Sequence, residues 1–219
     1  MHGFSMQNDA VLTPTIKLPA GSTVILEGSA SLYTDQAQSI LCLGDLTIRG
    51  SGPDTSQLTG LSYADDPDCQ PIYAQGKLTV EDCTLDLNSY ATAIAAEGSM
   101  EIRNTRLQLD TDREGLASYA DVSIQGSEID ILAYVGIYAE NVVDISTSHV
   151  TINSVEYGIH AEDASISGSD VSIDAPYNEC IYTDAGVSIS DQSVVHLISY
   201  ADEGILTSGS VSIIDSTLD

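Results

Sequence analysis

The chain has 219 residues, thirty-three of them Asp or Glu against six Lys plus Arg, for a formal net charge of −27. That balance excludes a nucleic-acid binder, which needs a basic footprint, and disfavours anionic membranes and polyanionic substrates. With one Phe and no Trp, the core is expected to consist of thin layers of Val, Ile, Leu and Ala within one elongated domain.

Residues 1–23 lack any repeat register. Pro14, Pro19 and Ala20-Gly21 suggest an irregular cap over the first coil of the chain. MHGFSMQNDAV has no charged start followed by an apolar run, so no secretion signal or membrane-inserted segment is expected there, and the expectation is either an intracellular protein or a piece excised from a longer secreted one. From Val24 to Asp219 a unit of about 22 residues recurs. Its first strand begins at Val24, Leu46, Leu78, Met100, Val122, Val143, Ala164, Val187 and Val211. A second register, in the third strand, is Ile40, Ile72, Ile94, Leu116, Ile137, Ile159, Ile181 and Ile205, usually with a small residue two positions on. The unit 122–141, VSIQGSEIDILAYVGIYAEN, shows the design: three alternating runs separated by gaps too short for a helix.

A third register marks the first corner. A small residue stands five positions after each strand start (Ser29, Ser51, Cys83, Thr105, Ser127, Ser148, Ser169, Ser216), preceded by Gly, Asn, Asp or Thr. Gly, Asn and Asp tolerate the left-handed backbone that a sharp bend needs. The coil from Val187 breaks step, with Ser193 one residue late, which reads as a one-residue bulge. The second coil carries about ten extra residues near 53–70, and its Asp65-Asp66-Pro67-Asp68 run is expected to project as an acidic loop. Cys42 and Cys83 occupy small-residue positions and read as buried thiols; the expectation is four free thiols, with Cys69, in the long insertion, the one cysteine placed to find a partner if any does.

The expected fold is therefore all-β: a right-handed parallel β-helix with three strands per coil and about nine coils, residues 24–219. A leucine-rich repeat, suggested locally by LTVEDCTL at 78–85, fails because Gln75, Glu97 and Tyr119 stand where it wants apolar residues. The last segment, VSIIDSTLD, stops after the second strand of a coil without a polar cap. The expectation is a piece of a longer protein, or an end covered by another chain.

Phrases such as LPAGSTVILEGSASL, GDLTIRGSG, GKLTVEDCTLDL and YGIHAEDASISGSDVSI resemble the secreted right-handed β-helix proteins of bacteria. These are adhesin-like or carbohydrate-binding-domain proteins within the broader pectate-lyase-like superfamily. The likeness spans nearly all of residues 15–219 and lies in repeat style. It implies extracellular or cell-surface placement and suggests a carbohydrate ligand.

The same face offers candidate residues for that contact. With Ile137 and Ala139 inward, Tyr138 and Glu140 point outward, followed on the next coils by His160 and Glu162, then Tyr182 and Asp184. A sugar face can stack on the rings while its hydroxyls pair with the carboxylates. Alternatively, a Ca²⁺ ion can bridge such rows through oxygen ligands, or the face is simply solvated with Tyr chosen for strand propensity. Corner tyrosines (Tyr90, Tyr134, Tyr157, Tyr177, Tyr200) read either as packing over the core edge, the favoured expectation, or as an exposed recognition surface. The superfamily's lyases imply acidic calcium ligands with an Arg or Lys, and here only Arg103 and Arg106 lie near local acids (Asp110, Asp112, Glu114). Glu140 and Glu162 could approach a retaining-glycosidase separation of about 5 Å, but a uniform row singles out neither as the acid. The favoured expectation is a non-enzymatic, adhesin-like spacer with no catalytic residues; the alternative is a polysaccharide lyase or glycoside hydrolase.

Overall fold

A computed structural model of the chain describes residues 2–8, 14–34, 37–62 and 69–219. Among them there is no helix; twenty-six strands wind into a parallel β-solenoid. Alternation in the sequence becomes alternation in burial. Val122–Gln125, Glu128–Ala133 and Val135–Ala139 form one coil, in which Val122, Ile124, Ile129, Ile131, Ile137 and Ala139 point inward and are almost wholly buried. Each inward Ile or Leu contributes roughly 1.5–3 kcal/mol of burial.

The third-strand register holds throughout. Ile40, Ile72, Ile94, Leu116, Ile137, Ile159, Ile181 and Ile205 pair in turn, each with the next. The first-strand register holds from Leu46 onward. At Val24 it is displaced: Leu46 pairs with Ser22, and Val24 pairs with Ile48. The inner position at the start of that strand carries a hydroxyl rather than an aliphatic group, so matching apolar residues aligns the strand two positions late. Strand pairing also reaches further toward the N-terminus than the apolar registers: Ile16–Pro19 pairs with Ile40–Leu43, and His2–Asn8 with Glu27–Thr34.

The ten extra residues of the second coil do not form one projection. Strand Ser56–Ser62 runs through their middle, paired with Thr84–Ser89 on one side and Gly28–Thr34 on the other. One part of the surplus is the turn at 51–55, so Ser56, not Ser51, aligns with Cys83 at the corner. The Asp65–Asp68 run lies outside the described residues. Cys42, Cys69, Cys83 and Cys180 are all buried thiols, none in a disulfide.

At the first corner the small residues form a continuous hydrogen-bonded stack. The N–H of Thr105 donates to Ser127 Oγ (3.2 Å), that of Ser127 to Ser148 Oγ (3.1 Å), and that of Ser148 to Ser169 Oγ (3.1 Å). The stack continues from Ser169 to Ser193 Oγ (3.3 Å) and from Ser193 to Ser216 Oγ (3.2 Å). Each hydroxyl then donates to a carbonyl just before it in its own chain segment, as Ser127 does to Gln125 at 2.9 Å. Buried backbone donors that would otherwise cost free energy are thereby satisfied. Preceding residues take the left-handed conformation the bend requires: Asn104 at φ 46°, Gly126 at 59°, Thr147 at 50° and Gly168 at 55°. In the coil from Val187, two such residues, Asp191 and Gln192, absorb the additional residue and return Ser193 to the stack.

Candidate functional site

The outward residues of the third strands form one row along the solenoid. Leu41, Tyr73, Ala95, Ala117, Tyr138, His160, Tyr182 and Leu206 pair in register, coil after coil. Tyr138, His160 and Tyr182, named from the sequence, thus lie side by side. The His160 ring stands edge-on to Tyr138 at 5.4 Å between centroids and to Tyr182 at 5.0 Å, an arrangement aromatic rings prefer. Tyr157 reaches over from the preceding corner to 5.0 Å from His160 and 5.5 Å from Tyr182. Burial and the nearby Glu179 and Glu156 push the Tyr157 phenol above its ordinary pKa. Of the other corner tyrosines, Tyr177 and Tyr200 do not pack over the core edge, being 72% and 80% exposed, whereas Tyr90 and Tyr134 are about half covered.

Glu140, Glu162 and Asp184 stand exposed where the third strand turns toward the next first strand, but their backbone spacing is not uniform. The Glu140 N–H follows the upstream pattern by bonding Ser118 O, as Tyr119 does Ala96 O. The N–H groups of Glu162 and Asp163 instead both converge on Asn141 O, and the register slips again between Ala161 and Asp163 against the following coil. The corner from Ile159 to Ala164 is one residue shorter than those from Ile137 to Val143 and Ile181 to Val187, and in the coils of Ile159 and Ile181 the third and first strands run on as the continuous strands Ile159–Ser167 and Ile181–Ser190. Tyr182 Oη donates to Asp184 Oδ1 at 3.4 Å, tying the two rows together on that coil.

N-terminal to the ring cluster the same face dips. Ala95 and Ala117 floor a cleft of about 660 Å³ that Tyr73 and Tyr138 flank and that runs on past Tyr73 to Leu41. Gln38, Gln70, Thr92, Arg113 and Glu114 line one rim; Gln75 and Tyr119 line the other. Thr92 donates to Glu114 at 2.5 Å and Tyr73 to Glu97, which holds two of these polar groups in place. Sequence reasoning located the ring cluster and missed the cleft. Its signal was available in the outward row, which drops to alanine at 95 and 117 between two tyrosines.

Arg103 and Arg106 do not converge. Arg103 projects from the first strand and pairs with Glu101, which also takes Lys77 at 2.5 Å. Arg106 lies beyond the corner on the second strand, held by Glu128 at 2.8 Å and Asp54 at 3.3 Å. Asp110 accepts from Asn88 on that second face. Only Arg113 among these basic side chains lines the cleft.

Fold and face together define a parallel β-helix repeat protein with a shaped, aromatic-bounded outer surface on one side. Comparison with protein-family models, with curated proteins and with solved structures finds no match to this chain. The β-helix therefore stands on the strand registers themselves, and the resemblance to the pectate-lyase-like superfamily and to bacterial surface proteins gains no support from relatives.

Proposed function

We propose that the protein is a non-enzymatic surface or secreted β-helix module, an adhesin-like spacer whose third-strand face holds a neutral carbohydrate. The observation that carries this reading is the cleft between Tyr73 and Tyr138. Its volume falls within the roughly 300–1,000 Å³ of small-ligand sites. Its alanine floor admits a flat ring, Tyr73, Tyr119 and Tyr138 offer aromatic faces beside it, and its rims carry amide, hydroxyl, guanidinium and carboxylate groups suited to sugar hydroxyls. The acidic surroundings favour a neutral over an anionic polymer, since the chain carries a charge of −27. A solenoid supplies rigidity, because each coil is bonded to its neighbours along three strands.

A glycan array probed with the purified chain provides the test, followed by titration calorimetry on the best ligand. Ala117→Trp, which fills the cleft from an outward position, should abolish binding, and Tyr138→Ala should weaken it at least tenfold. Asp130→Asn, on the second-strand face, should leave it unchanged. Binding that survives Ala117→Trp, or an array without a single neutral hit, would sink the proposal.

A further inference from the structure

A separate cluster lies on the other side of the corner leading into the third strand. Glu179 and Glu203 each stand two residues before the paired Ile181 and Ile205, so they stack on adjacent coils, and Asp202 lies beside Glu203. Oxygens from all three carboxylates lie within 4.8 Å of one another. Asp202 and Glu203 are exposed, but Glu179 is buried, with only 6% of its surface open to solvent. Its Oε2 is buried with no hydrogen-bond partner among the described residues.

A buried carboxylate oxygen without a donor is costly unless a cation or a proton answers it. The chain offers no ammonium or guanidinium for this role: every Lys and Arg lies at or before Arg113. The Ser199 hydroxyl, its one proton shared between Asn178 O at 3.0 Å and Asp202 O at 2.9 Å, links the two corners. The spacing therefore belongs to the fold.

We propose that Glu179, Asp202 and Glu203 bind one Ca²⁺ ion across the corners of the seventh and eighth coils. All ligand atoms are oxygen, which suits a hard cation, and the set lacks the nitrogen and sulfur donors that zinc and copper sites prefer. Oxygens up to 4.8 Å apart fit around an ion with Ca–O distances of about 2.3–2.6 Å. Ca²⁺ accepts irregular geometry and completes its shell with water, whereas Mg²⁺ demands a near-octahedral cage that a stack of two corners does not impose. With three protein carboxylates the dissociation constant is expected in the range of about 10⁻⁴–10⁻³ M. The ion would tie the Tyr200–Glu203 corner to the coil before it. This site is distinct from the Glu140–Glu162–Asp184 row, where the sequence had suggested a cation.

The test is calorimetric titration of the full chain with CaCl₂ in about 0.15 M NaCl, with thermal melts alongside. One Ca²⁺ per chain and a melting temperature raised beyond that given by NaCl of equal ionic strength are expected. Asp202→Asn and Glu203→Gln, both at exposed positions and so expected to fold, should each weaken binding at least tenfold, and Glu179→Gln should abolish it. Asp130→Asn removes the same charge elsewhere and should bind as the parent does. Equal Ca²⁺ affinity in Asp202→Asn or Glu203→Gln, a Ca²⁺ effect reproduced by NaCl, or tighter binding of Mg²⁺ than of Ca²⁺ would each overturn the assignment. Glycan binding is read separately, so failure here leaves the cleft untouched.

Discussion

A single position in the corner stack shows how side-chain chemistry is set by its neighbours one coil away. Cys83 takes the place that Thr105, Ser127 and Ser148 take on later coils, buried between Ser56 and Thr105. Burial, with Asp82 beside it, pushes its thiol up to about 12, against a hydrogen bond with Thr105 that pulls the other way. An acid whose folded pKa is raised contributes stability that is intact below its unfolded value of 9.0 and is lost as pH climbs toward about 12. Stability should therefore decline above about pH 9 in the parent, and Cys83→Ser, which restores the hydroxyl of the stack, should decline less. Denaturant midpoints from pH 8 to 11 report this directly, and identical declines would contradict it. At neutral pH a thiol reagent should leave Cys83 unmodified until the chain unfolds.

At the scale of one strand, the inward Ile of the third strand is the residue the coil can least spare. Ile137 is fully buried, stacked between Leu116 and Ile159. Just before it, Gly136 passes so close to its surroundings that an added Cβ would sit 2.4 Å from Gly158 O and from Ile152 Cγ2. No room exists there for a rearrangement that would bring water to a charge. Ile137→Asp places a carboxylate in an apolar layer without a donor and should cost about 3–5 kcal/mol, enough to fray or unfold the middle of the solenoid. A melting curve matching the parent would show that the third strand faces the other way. The outward partner, Tyr138, tolerates substitution by the same logic, since alternation gives it no share in that layer.

Across the whole molecule, charge is the dominant stress. Each complete coil carries three to five Asp or Glu, and the six basic residues all lie at or before Arg113, where Lys77, Arg103 and Arg106 form ion pairs. The half beyond Arg113 has no such relief from Lys or Arg, and self-repulsion there opposes the compact state. Raising NaCl from about 0.02 to about 0.5 M, with chelator present to exclude divalent ions, should raise the melting temperature by several degrees as the screening length shrinks below about 5 Å. The gain should come mainly from the C-terminal half, which hydrogen exchange can resolve coil by coil. A melting temperature independent of salt would mean that the carboxylates do not repel one another appreciably.

The fold was legible because a solenoid writes its tertiary contacts into a period. Ile40 through Ile205 recur at a spacing that brings each beneath the next, and a slip of one residue would turn every inward Ile outward. The corner residues were legible for a related reason: left-handed backbone and a buried N–H both select a short list of side chains. What escaped the sequence lacks a period. Ser22 opens its strand with a hydroxyl, and the surplus in the second coil is split by a strand whose small residues, Gly60 among them, hide its alternation. The cleft exists because Ala95 and Ala117 are small between Tyr73 and Tyr138, and Tyr157 joins the ring cluster by leaning across a corner. Glu179 looks in sequence like any other acid of an acidic chain; only the stacking of two corners buries its oxygen beside Asp202 and Glu203. Periodic burial is determined by the sequence alone, whereas surface shape and the meeting of charges depend on side chains from different coils and were decided by the tertiary structure.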